Sequence, residues 1–134
     1  MKFATLVLGV STLAFAANEP VYNPATAVDV IAVISGIREV PAGQPMEGVH
    51  LTVKNKANTF DVYLGPTAFL KMLKTSFPVG DEIDIMGSRV KFQNADVILA
   101  REVTDPVESL VLRDLYGAPV WKNWGVEADP STLR

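Results

Sequence analysis

One stretch of helical periodicity sits inside a chain that otherwise alternates. From Pro66 onward, Phe69, Leu70, Leu73 and Phe77 recur at three- and four-residue spacing, with Lys71 and Lys74 on the other side. Most of the surrounding sequence repeats every second residue instead. A lone helix among strands must hide its apolar stripe, and the strands must supply the surface that hides it. Pro66 suits the first helical position, the late lysines complement the helix dipole, and Pro78 ends the segment. The spacing predicts a helix of about three turns over 66–77.

The alternating segments place the strands. Residues 26–35 predict a long first strand, with Val28, Val30, Ala32 and Ile34 on one face and Asp29, Ile31, Val33 and Ser35 on the other. Apolar residues occupy both faces, so burial along much of its length is expected. Gly36 marks a bend, and Pro, Gly and Gln make 41–45 a loop. Residues 49–54 and 59–64 alternate around a polar turn and predict an antiparallel hairpin. Its inward residues are Val49, Leu51, Val53, Phe60, Val62 and Leu64, while His50, Thr52, Lys54, Asp61 and Tyr63 point outward. After the helix, Ile83 and Ile85 face in and Glu82 and Asp84 face out, until Gly87-Ser88 breaks the strand. Residues 89–92 and 95–103 pair across Gln93-Asn94. A short strand over 108–113 and a turn over 114–117 follow. This order predicts an all-β fold with one helix: an OB-fold-like five-stranded Greek-key barrel (β-β-β-α-β-β) plus a short C-terminal extension.

The two ends differ from the middle. Lys2 is followed by an uncharged apolar run to Ala14-Phe15-Ala16, after which the chain turns polar. A basic start, a short apolar stretch and a small-x-small site are the three parts of a cleavable export signal. The run falls short of the roughly 20 apolar residues that span a bilayer. The expected organisation is a signal peptide over 1–16, a Pro- and Asn-rich leader over 17–25, a barrel domain over 26–124 and a flexible tail over 125–134. No later segment is long and apolar enough to span. The expected location is the periplasm or the exterior of a bacterial cell.

Composition removes several chemistries. The chain has no Cys, which excludes disulfides, thiolate metal sites and C-x-x-C-H haem attachment. One His rules out a two-His metal site within one chain. Loss of a signal whose only charge is Lys2 takes the net charge from −3 to −4, which makes nucleic acid an improbable partner. No Ser stands in a G-x-S-x-G setting, and no phosphate loop is present. Asp81, Glu82 and Asp84 cluster near a turn, but without the D-x-D-x-D-G pattern they read as a solvated strand edge. No metal and no cofactor are expected, and the inventory an enzyme needs is not met.

Binding is the better candidate. OB-folds use the face of their second and third strands, which here offers His50, Thr52, Lys54, Asp61 and Tyr63. His50 reads either as part of that patch or as a half-exposed side chain bonded to a neighbour. Trp121 and Trp124, with Tyr116, form a second aromatic concentration. Trp121 reads mainly as a core residue closing the barrel, and Trp124 either packs beside it or anchors a partner.

The phrases "GIREVPAGQPMEGVHLTV", "VYLGPTAFL", "VGDEIDIMGSRV" and "LVLRDLYGAPVW" run through most of 26–124. In them the chain resembles a group of small exported bacterial OB-fold-like proteins of uncharacterised family. The phrases carry turn and core residues, not a catalytic signature. The resemblance implies the fold and the compartment, and binding in place of catalysis. The expected function is an exported, non-enzymatic binding module of the cell envelope that takes a protein or small ligand. The rival is a binder of single-stranded nucleic acid or oligosaccharide on the face of the second and third strands.

Overall fold

The computed structural model describes residues 19–124, with side chains as far as 122. The expected signal over 1–16, the tail over 125–134 and the side chain of Trp124 lie outside the described residues.

Strand β1 (Ala27–Val40) has 14 residues, enough to serve two partners. Its first half pairs antiparallel with β4 (Glu82–Phe92), from Ala27↔Ser88 to Val33↔Glu82. Its second half pairs antiparallel with β2 (Gly48–Asn55), ending at Val40↔Gly48. The register slips between Ile34 and Gly36. Such a bulge bends a strand where it changes partner, so the bend expected at Gly36 is present.

β2 and β3 (Asn58–Gly65) form the expected hairpin. β4 and β5 (Ala95–Thr104) form another, joined by Gln93 and Asn94 at φ 51° and 67°. Two positive φ values in a two-residue turn match the twist of the strands they join. Asp61–Tyr63 of β3 then pair in parallel with Val97–Leu99 of β5. That pairing closes an uneven ring in the order β1-β2-β3-β5-β4. With α1 (Thr67–Leu73) between β3 and β4 in the chain, this is the OB-fold-like barrel the order of elements predicts. β6 (Ser109–Val111) adds a short edge to the far end of β5.

The barrel is filled from alternate positions, among them Ala32, Ile34, Leu51, Val53, Val62, Leu64, Ile83, Ile85 and Val103. Phe69 and Leu70 of α1 are buried with them. A 7-residue helix is too short to persist alone in water, so these two side chains hold it in place.

Three expectations are corrected. The helix stops at Leu73, short of 77. Lys74 adopts a left-handed conformation (φ 56°) and its N–H bonds back to the Lys71 carbonyl, which ends the helix before Pro78 is reached. The outer face of β1 is not buried: Ile31 is 56% and Val33 40% exposed, because the partner strands cover its edges and not that face. Gly87-Ser88 does not break β4, which runs through both residues. Gly87 sits where the β4–β5 register slips, and a Cβ there would strike the Leu99 carbonyl. The glycine permits a close approach of two strands, not a stop.

Candidate functional site

The hairpin face splits into two environments. Cross-strand pairing sets His50 opposite Tyr63, Thr52 opposite Asp61 and Lys54 opposite Thr59. Lys54 is exposed, and Thr52 and Asp61 are half-buried. His50 and Tyr63 lie on the face that alternation predicts, but that end of it is covered. They are buried, at 2% and 9% exposure. The reason lies in the loop between β1 and β2, which folds over that end of the face. His50 Nε2 donates to the Met46 carbonyl at 2.9 Å, and the Tyr63 hydroxyl donates to the Glu47 carbonyl at 2.8 Å. His50 Nδ1 lies 3.1 Å from the Asp61 carboxylate, which also takes Arg38 at 3.1 Å. Both ring nitrogens are therefore engaged, and His50 serves as a tie between the hairpin and the loop.

The leader joins this cover. Glu19 Oε2 accepts the Met46 N–H at 2.8 Å, Asn23 N–H donates to Ser88 Oγ at 3.0 Å, and Tyr22 is a buried core residue. Nothing in the Pro- and Asn-rich composition of 17–25 signals this packing.

The chain after β6 completes the arrangement. Asp114 Oδ1 accepts the Tyr116 and Ala118 N–H groups, each at 2.9 Å, and Gly117 N–H returns to the Asp114 carbonyl at 3.0 Å. This is the turn read from 114–117, and it brings Trp121 back to the barrel end. Gly117 has φ 94°, and a Cβ there would collide with the Tyr22 ring. Trp121 is 3% exposed. It meets the Tyr63 ring edge-on at 6.5 Å and lies 5.5 Å from the Phe69 ring.

Between these pieces lies a cleft of about 610 Å³ at the end of the barrel. Tyr22, Tyr63 and Trp121 supply aromatic wall, and Glu19, Glu47, Arg113 and Lys122 supply charge. Val21 and Tyr116, 81% and 83% exposed, stand at its rim. So the two candidate groups, Tyr63 on the hairpin face and Trp121 at the C-terminal end, line one cavity. Trp124 ends the 3-10 turn Val120–Trp124 that carries Trp121.

Arg113 is the residue that reading the sequence missed. Only the aromatic residues following it in "RDLYGAPVW" hinted at its setting. It is 9% exposed, and its guanidinium lies 5.1 Å from the Trp121 ring and 5.9 Å from the Tyr22 ring. Nη1 donates to the Gly117 carbonyl at 2.9 Å. Burial holds its pKa below the ordinary value for arginine, against the opposing pull of Tyr63 and Tyr22.

The acidic residues of β4 lie elsewhere. Asp84 shares the outer face with Asp29 of β1, and its Oδ1 is buried without a hydrogen-bond partner among the described residues. The hydrogen bond between the two carboxyls, then desolvation, then repulsion from Asp29 and Glu102 push Asp84 up to about 6. No group of three His, Asp or Glu side chains among the described residues is placed to hold a metal.

Residues 29–108, the span from β1 to just before β6, match the family model of MamS/MamX magnetosome proteins. That is more than half of the 134 residues. The chain belongs to the MamS/MamX magnetosome protein family. No curated protein matches it. The MamS/MamX match takes in the barrel with His50, Thr52, Lys54, Asp61 and Tyr63, and it ends before Arg113 and Trp121. The cleft thus forms where the family's barrel meets the flanking segments of this chain.

Proposed function

We propose that this MamS/MamX family member is an exported, non-enzymatic binding module of the cell envelope that takes a small ligand in the cleft at the barrel end. The basic, apolar and small-x-small pattern over 1–16 supports export. No helix among the described residues is long and apolar enough to cross a membrane. The observation that carries the binding reading is the convergence of Tyr22, Tyr63 and Trp121 on one cavity, beside the charged groups of Glu19, Glu47, Arg113 and Lys122. Ligand sites are concave, largely apolar and furnished with a few placed polar groups. The engaged ring nitrogens of His50 leave it unsuited to act as a base, which favours binding over catalysis.

The test compares two proteins. Ala118 lines the cleft from an exposed position, so Ala118→Trp blocks the mouth without entering the core. The mature chain and this variant are incubated with an envelope extract, recovered and denatured, and the released small molecules are identified by mass spectrometry. A compound held by the wild type and absent from Ala118→Trp supports the reading. Equal retention by both moves the site away from the cleft. Retention by neither overturns small-ligand binding.

A further inference from the structure

We infer that the cleft recognises an organic anion, a carboxylate or phosphate group on an apolar body, and that Arg113 is the group that selects it. The inference rests on the cleft being the binding site and adds the class of ligand.

An arginine carries five N–H donors and a permanent charge. Among the described residues, Arg113 makes one hydrogen bond, Nη1 to the Gly117 carbonyl at 2.9 Å. Its Nε is buried with no hydrogen-bond partner among the described residues. None of the ion pairs among the described residues includes Arg113. Buried charges are ordinarily paired, because removing a charge from water is costly unless another group replaces the solvent. Here aromatic faces replace part of it. They stabilise a cation without consuming its donors, so the guanidinium keeps its planar fork.

The two acids on the same cleft do not fill that role. Glu19 Oε2 is engaged by the Met46 N–H at 2.8 Å. Glu47 Oε2 lies 3.5 Å from the Thr67 N–H. Both carboxylates are directed to backbone N–H groups, in the loop before β2 and at the start of α1. They leave Arg113 unneutralised, and their charge disfavours a polyanion. A single anionic group at Arg113, with an apolar portion along Tyr22, Tyr63 and Trp121, satisfies both conditions. Planar bidentate geometry suits a carboxylate or a phosphate equally.

The experiment uses the mature chain and three probes: 3-phenylpropionate, its neutral amide, and phenyl phosphate. The readouts are the Arg113 Nε–H resonance in a 15N-labelled sample and the thermal midpoint. The expected result is a saturable shift of that resonance, with a raised midpoint, for one or both anions and not for the amide. Which anion acts distinguishes a carboxylate from a phosphate ligand. Arg113→Lys keeps the charge and loses the fork, and binding is expected to weaken at least roughly tenfold. Arg113→Met is expected to abolish the rise in thermal midpoint. If either variant fails to fold, the wild-type resonance decides alone. Equal binding of amide and anions, blocked by Ala118→Trp, overturns anion selection while the cleft remains the site. No shift with any probe also overturns it, and the extract experiment then judges the cleft separately.

Discussion

At the scale of single residues, buried His50 and half-buried Asp84 have opposite consequences. His50 has both nitrogens satisfied and joins the hairpin to the loop over 41–47. Its removal leaves a cavity and strands the Met46 carbonyl. His50→Ala is therefore expected to lower stability by about 2–4 kcal/mol, read by urea denaturation. A loss near zero would mean that the loop is held by other contacts. Asp84 is the reverse case. Its carboxyl is raised from 3.8 to about 6, first by the hydrogen bond with Asp29. A raised carboxyl holds its proton more tightly in the folded state. Its favourable contribution is complete below 3.8 and is lost as the pH rises through about 6. Asp84→Asn should thus be more stable than the wild type near neutral pH, and the advantage should shrink as acid protonates the pair. Denaturation curves at several pH values check this, and a pH-independent gap would contradict it.

At the scale of elements, α1 shows how a local signal and a packing requirement share the work. The apolar spacing from Pro66 announced a helix and its buried face, and Phe69 and Leu70 occupy that face. The length was not readable, because the left-handed turn at Lys74 answers to the fit against the barrel and not to any breaker residue. A helix this short depends on its anchor. Phe69→Ala is expected to cost about 3–5 kcal/mol and to loosen Trp121, which lies 5.5 Å from the Phe69 ring. Reduced near-ultraviolet ellipticity from Trp121 would report the second effect. The turn over 114–117 was legible from its Asp and Gly, and the hairpins from alternation and polar turns. The exposed outer face of β1 was not legible, since Ile31 and Val33 carry the same apolar character whether or not an element covers them.

At the scale of the whole molecule, fold and site differed in how far they were written locally. Strand order and helix position defined the barrel because each element declared itself within a few residues. The cleft draws on five distant segments: the leader, the loop over 41–47, β3 with Pro66 after it, Leu99 of β5 and the chain after β6. No window of sequence contains it. Tyr63 and Trp121 were recognisable as separate candidates, but only the fold brings them together. Arg113 was invisible because a charge beside a turn ordinarily faces water. The proposed export is tested on the whole chain. Fractionation followed by N-terminal sequencing is expected to place the protein outside the cytoplasm with Ala17 first, and an intact Met1 there would contradict the signal. The net charge, −3 for the full sequence and −4 once Lys2 leaves with the signal, predicts no retention on single-stranded DNA even at low salt. Salt-reversible retention would restore the rival reading.

The parallel contact of Asp61–Tyr63 with Val97–Leu99 has a kinetic consequence. Its partners are separated by a helix, a loop and an entire strand, so the ring cannot shut until the chain has ordered over that distance. Such non-local pairings slow folding. Until it shuts, β3 and β5 each present an open edge to whatever strand arrives first. The vulnerable interval for this protein is therefore the time between completing its two hairpins and joining them. A substitution that weakens that junction should show itself in aggregation during refolding before it shows in the stability of the finished barrel.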